Sequence, residues 1–147
     1  MKYDKYIVRA SGSFLKYEFH SDGPKGRIAK QVLYKEFDEY PGVFNLGLGD
    51  LEASGEINDV VVTDNSDSEK VLATVALTVH KFFDIYPHKS VFITGSTETR
   101  TRLYRMGIAK NLEELQNEFH LFGLIGNDWQ PFRRGPDYRA FMVQKKK

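Results

Sequence analysis

Between Ser66 and Pro87 the residues Val71, Leu72, Val75, Val79, Phe82, Phe83 and Tyr86 recur at helical spacing. A helix with so broad an apolar stripe must bury it against a larger apolar surface. Ser66 and Glu69 stand at capping-box spacing, Asp67 favours the positive end of the dipole, and Pro87 stops the helix. The spacing therefore predicts one long core helix starting near Ser66. The chain on either side has to supply what it packs on.

What flanks this helix reads as strands. From Phe14 to His20, Leu15, Tyr17 and Phe19 alternate with Lys16, Glu18 and His20, the period of a half-buried strand. The turn residues 21–26 lead into a paired strand over Arg27–Phe37. After Tyr40-Pro41-Gly42, a third strand over Val43–Leu51 sets Phe44, Leu46 and Leu48 against Asn45, Gly47 and Gly49, and a fourth is expected over Ile57–Thr63. Ser90–Thr94 has the continuous apolar character of a central strand. A short helix follows, closing at Gly107, then a second over Leu112–Phe119, and a closing strand pair over His120–Ile125 and Tyr138–Val143. Strands grouped rather than alternating with helices predict an α+β fold, a mostly antiparallel sheet with one long and two short helices packed on it. No internal repeat or linker divides the 147 residues, so a single domain is expected, with residues 1–12 irregular and the basic tail 144–147 frayed.

Composition removes several classes of chemistry. The absence of cysteine excludes a disulfide framework, thiolate zinc and a cysteine nucleophile. The N-terminus lacks the apolar run of a signal peptide, and no stretch has the roughly 20 apolar residues that span a bilayer. A cytoplasmic protein without membrane contact is expected. His20, His80, His88 and His120 show no metal-ligand spacing, and there is no Gly-x-Ser-x-Gly elbow. Asp50, Asp59, Asp64 and Asp67 read as solvated acidic loops rather than a magnesium site. Neither a metal nor a cofactor is expected. The net charge of +1 conceals segregation: residues 36–69 hold ten acids and no base, residues 100–147 ten bases and five acids. Such a chain can pair its own halves or offer charged faces to partners.

The functional surface is expected at Gly95-Ser96-Thr97. A strand that ends there and opens a helix aims backbone N–H groups and the positive dipole end at one point, with hydroxyls at Ser96 and Thr97 able to cap the helix or bind an oxyanion. At 100° per residue, Leu103, Tyr104 and Met106 mark the inward face, Arg100 lies between Leu103 and Tyr104, and Arg102 and Arg105 project to solvent with Glu98. An inward arginine needs a carboxylate such as Asp50 or Asp64, or else a bound anion. Lys25, in the Gly23–Arg27 turn, joins that site if the fold brings it near. The dinucleotide and P-loop glycine patterns are both missing. A second candidate is the loop with Trp129, Phe132, Arg133 and Arg134, which mixes rings with bases as single-strand nucleic-acid binders do, or buries its rings against a sister subunit.

The strings 45–50 (Asn-Leu-Gly-Leu-Gly-Asp), 70–75 (Lys-Val-Leu-Ala-Thr-Val), Gly95-Ser96-Thr97 and 100–104 (Arg-Thr-Arg-Leu-Tyr) resemble a family of small uncharacterised bacterial proteins, from about Phe14 to Phe141. The resemblance implies a free-standing domain of unknown function and brings no catalytic residues with it. The expectation from the residues is a binding domain for an anionic ligand, a phosphate-bearing metabolite or a nucleic acid. The alternatives are a homodimeric protein-interaction module and a small toxin-like nuclease or transferase.

Overall fold

The computed structural model describes residues 4–52, 54, 57–58 and 65–147. It is α+β, with a mostly antiparallel sheet in which the strands Val43–Leu51 and Ser90–Ile93 pair parallel, and three helices among the described residues. The chain divides into two compact units, Met1–Lys35 with Gly47–Ile85, and Glu36–Leu46 with Tyr86–Lys147.

In the first unit the strand order is β1 (Arg9–Ala10), β2 (Lys16–Gly23), β3 (Gly26–Glu36), then the 47–51 half of β4 (Val43–Leu51), which also pairs with β5 (Ile57–Asn58). The rest of the expected fourth strand lies outside the described residues. The alternation in β2 acts as expected: Tyr17, Phe19 and Ser21 are buried while Lys16 and His20 face water. The β2–β3 hairpin sets Tyr17 against Val32 and Phe19 against Lys30. Helix α1 (Ser68–Ile85) lays Phe82 on Tyr34 with ring centroids 4.6 Å apart, and Tyr34 Oη and Thr78 Oγ1 share a hydrogen bond of 2.8 Å. The helix starts later than its capping-box spacing predicts. Asp67 provides the first carbonyl, accepting from the Val71 N–H, and its carboxylate accepts from Tyr6 Oη at 2.6 Å and Ser21 Oγ at 2.5 Å. Asp67 thus ties the helix entry to β2.

One charge in this unit escaped the sequence reading. Lys30 occupies an inward position of β3, is 1% exposed, and places Nζ 2.6 Å from Asp50 Oδ1 on β4. Taking both charges out of water is costly, and their mutual attraction offsets that cost.

In the second unit the order is β4, β6 (Ser90–Ile93), β9 (Ala140–Lys145), β7 (Phe119–Ile125), β8 (Asp128–Pro131), with β6 parallel to β4. The helices are α2 (Glu98–Lys110) and α3 (Leu112–Gln116). Three expectations need correction. Helix α2 does not close at Gly107. It runs on to Lys110, where Asn111 satisfies the Gly107 carbonyl through both its backbone N–H and its side-chain amide, so an asparagine does the capping expected of glycine. Phe119 does not end a helix but opens β7, because strand pairing with Lys145 claims its backbone. Part of the expected 126–137 loop is strand: Gly126-Asn127 turns the chain tightly and β8 pairs back on β7. The tail is also bound as far as Lys146, whose N–H donates to the Glu118 carbonyl.

The Lys30–Asp50 pair can be tested by denaturation. Asp50→Ala, which takes the carboxylate away from a buried ammonium, should lower stability by about 3 kcal/mol in urea unfolding. Replacing both residues with apolar side chains of similar volume (Lys30→Met with Asp50→Leu) should restore most of that loss.

Candidate functional site

The 95–101 turn is built from close approach and capping. A β-carbon on Gly95 would lie 2.4 Å from the Thr101 nitrogen and 2.6 Å from Arg100 Cβ, so only glycine lets the end of β6 pass this close to the helix. The Gly95 N–H donates to Thr101 Oγ1 at 3.0 Å, and Thr101 in turn donates to the Thr97 carbonyl at 3.1 Å. Thr97 is the N-cap, its hydroxyl accepting from the Arg100 N–H at 3.2 Å. Ser96, Thr97, Glu98 and Thr99 are exposed, so this end of α2 faces water.

The arginines sort differently from their expected order. Leu103 and Met106 are exposed, at 36% and 55%, whereas Tyr104 is buried. The covered stripe passes through Thr101, Tyr104, Arg105 and Ile108 and continues to Asn111 and Leu112, about a third of a turn from the expected one. Arg100 stands at its edge, half-buried, and Arg102 is exposed. Arg105 is not a solvated charge: its Nη1 donates to Asp137 Oδ1 at 3.0 Å and to the Pro136 carbonyl at 3.3 Å. The phenol of Tyr104 is pushed up to about 12 by burial, against a smaller opposing pull from the Arg100 cation.

The proposed charge partners are placed as follows. Asp50 is engaged by Lys30 in the first unit, and Asp64 lies outside the described residues. Lys25 is in the first unit at the β2–β3 turn, with its side chain exposed and its N–H donating to Asn65 Oδ1 at 2.7 Å. Among the described residues, no three His, Asp or Glu side chains gather as a metal site would need, and no helix is long and apolar enough to cross a membrane.

The aromatic–basic loop separates into two sides. Phe132 turns inward and packs on Tyr138 and Phe141, at 5.2 and 6.0 Å between centroids. Gly123 makes room there, since a β-carbon would lie 2.4 Å from the Tyr138 ring. Arg134 Nε donates to the Ala109 carbonyl in the last turn of α2, where such carbonyls lack intrahelical partners. Arg133 remains exposed. Trp129 turns outward, 41% exposed, and meets Phe92 edge-on at 6.1 Å.

That contact is one end of a series the sequence reading missed. Phe92 is edge-on to Phe37 at 5.7 Å, and Phe37 to Tyr40 at 6.3 Å, with Tyr40 62% exposed. Strand register adds Met142 opposite Phe92, and Phe122 opposite Met142, both half-buried. Inward neighbours Val91, Ile93, Phe141 and Val143 fill the core on the other side. A continuous row of rings thus lies on the outward side of the second unit's sheet. The available signal was period two within Ser90–Thr94: reading the run as buried on both faces hid the outward Phe92.

Tyr104 gives a pH prediction. Its folded-state value of about 12 lies above the ordinary 10.0, so the stability it contributes is complete below pH 10 and is lost as pH rises toward 12. Tyr104→Phe should therefore lose about 2 kcal/mol less stability than the parent between those limits, measured by urea unfolding at each pH.

No curated protein and no solved structure matches the chain. A family model does, over residues 2–146, nearly the whole length. The chain accordingly belongs to a family of unknown function (DUF6934).

Proposed function

We propose that this protein is a binding module that works through the aromatic outward side of its second unit. The observation that carries the reading is the ring series Tyr40, Phe37, Phe92, Trp129. Phe92 and Trp129 stand at outward strand positions, where a sheet facing water carries polar residues, and Phe37 and Tyr40 extend the row from the β3–β4 connection. The outward positions of β2 in the first unit have that ordinary character, with Lys16, Glu18 and His20, and Glu18 is bonded to Gln31 and paired with Arg9. Folding does not ask for rings in water, because the inward side already buries its own apolar set. Contact surfaces do ask for them: their centres are enriched in Phe, Tyr, Trp and Met and depleted of charge.

Trp129 is the only tryptophan, so it reports on this surface directly. In dilute protein a hydrophobic dye should bind and take energy from Trp129. Phe92→Ser combined with Tyr40→Ser should weaken the dye about tenfold without unfolding the chain. Equal dye binding by parent and variant, or binding that leaves Trp129 emission untouched, would reject the reading.

The start of α2 supports a second reading, an anionic ligand held by Ser96, Thr97, Arg100 and Arg102. Its support is the capped, water-facing helix end with a half-buried guanidinium one turn along. Calorimetry with inorganic phosphate, a nucleotide and a short RNA should then show binding that falls with salt and weakens in Arg100→Ala and Arg102→Ala. Salt-independent or absent binding rejects it.

A further inference from the structure

We infer that the occupant of the aromatic side is a second copy of this chain, docked face to face about a two-fold axis along the strands. The inference rests on the contact-surface reading above. What selects the occupant is charge at the two ends of the row. At the β4 end three exposed acids, Glu36, Asp38 and Glu39, precede Tyr40 and outnumber the two bases close by, Lys35 and Lys89, the latter with its side chain beside Gly42. At the β8 end, after the inward Phe132, Arg133 comes two residues beyond the outward Pro131 and is exposed, whereas Asp128 has the opposite parity on β8. Among the described residues the outward strand positions between, Ser90 and Phe92 on β6, Ala140, Met142 and Gln144 on β9, and His120, Phe122 and Leu124 on β7, carry no lysine or arginine. Gln144 Nε2 is bonded to Ser90 Oγ at 3.0 Å, and Lys146 follows just past the end of β9, its ammonium bonded to the Gln116 carbonyl.

A face acidic at one end, basic at the other and neutral between complements itself. An axis in the interface plane along the strands exchanges the two ends, setting the acids of one copy over Arg133 of the other. An axis across the strands would set like ends together. Both axes keep the strands of the two sheets aligned, as stacked sheets prefer, so charge is what decides between them. In the order β4-β6-β9-β7-β8 the middle strand is β9, so Met142 lies at the axis and meets its own counterpart. Methionine suits that place because its flexible thioether adapts to a self-contact. An isologous contact uses each charged pair twice. Single-stranded nucleic acid fits less well, because bases stacked along the middle of this row would bring phosphates to strand positions that carry no cation.

Sedimentation of the full chain tests this. The parent should be a concentration-dependent dimer, with Trp129 shielded from acrylamide as it forms, and Met142→Lys should be a folded monomer by circular dichroism. Glu39→Arg should weaken the dimer about fivefold, through a repulsion counted twice, and adding Arg133→Glu should restore it. That rescue is not expected of a residue that only supports the fold. A parent that stays monomeric, a dimer that survives Met142→Lys, or charge reversals that fail to compensate would overturn the inference. A monomer that still binds dye beside Trp129 would overturn it while leaving the contact-surface reading standing. An oligonucleotide that shields Trp129 on a monomer would also overturn it, in favour of nucleic acid.

Discussion

The pleat of β9 governs what the second unit presents to its surroundings. Paired on both edges, with β6 and β7, this strand has no freedom of register, so Phe141 and Val143 must go to one side and Ala140 and Met142 to the other. The inward side is closed by Phe132 and Tyr138 around Phe141. The outward side inherits Phe92 and Phe122 as neighbours of Met142. Both Ala140 and Leu124, which pair with each other, are nearly covered although they stand outward. Trp129, across from Leu124 and reaching Phe92, lies on that same side. One register therefore decides both which residues form the core and which rings remain for contact.

Charge is handled in the opposite way in the two units. In the first, Lys30 and Asp50 are taken out of water together, an arrangement that contributes little net stability yet penalises the loss of either partner heavily. In the second, the arginines stay near the surface and act on backbone: Arg105 on the Pro136 carbonyl and Arg134 on the Ala109 carbonyl hold the 133–137 segment to α2. The Arg105–Asp137 pair, with Asp137 87% exposed, positions this segment more than it stabilises it. Basic residues that suggested a nucleic-acid loop are thus partly used in shaping the fold, which leaves Arg133 as the exposed one beside the aromatic row.

How far the sequence could be read depended on whether the signal was local. The strand over Val43–Leu51 was legible because its turn residues and its alternation agree, and Phe44, Leu46 and Leu48 are buried as that alternation requires. Helix α1 was legible from its stripe, apart from its first residues, where Tyr6 and Ser21 converge on Asp67 from elsewhere in the chain. The inward face of α2 was misjudged because Leu103 and Met106 drew the apolar moment away from residues that are covered for other reasons: Thr101 by its bond to Gly95, Arg105 by Asp137 and Pro136. β8 was missed because Trp129, Gln130 and Pro131 look like loop until β7 provides the partner.

Spacing along the chain by itself determined the α+β class, most of the strands, the body of α1 and the strand-to-helix turn at Gly95. Each depends on periodicity or on a backbone conformation only a few residues can adopt. Tertiary structure decided the rest: that Lys30 would be buried against Asp50, that Arg105 would be held by Asp137 instead of projecting to solvent, and that Tyr40, Phe37, Phe92 and Trp129 would meet in one row. The physical reason is common to all three. A charge or a ring takes its meaning from what lies across from it, and that neighbour is chosen by strand order and register, which bring together residues far apart in sequence.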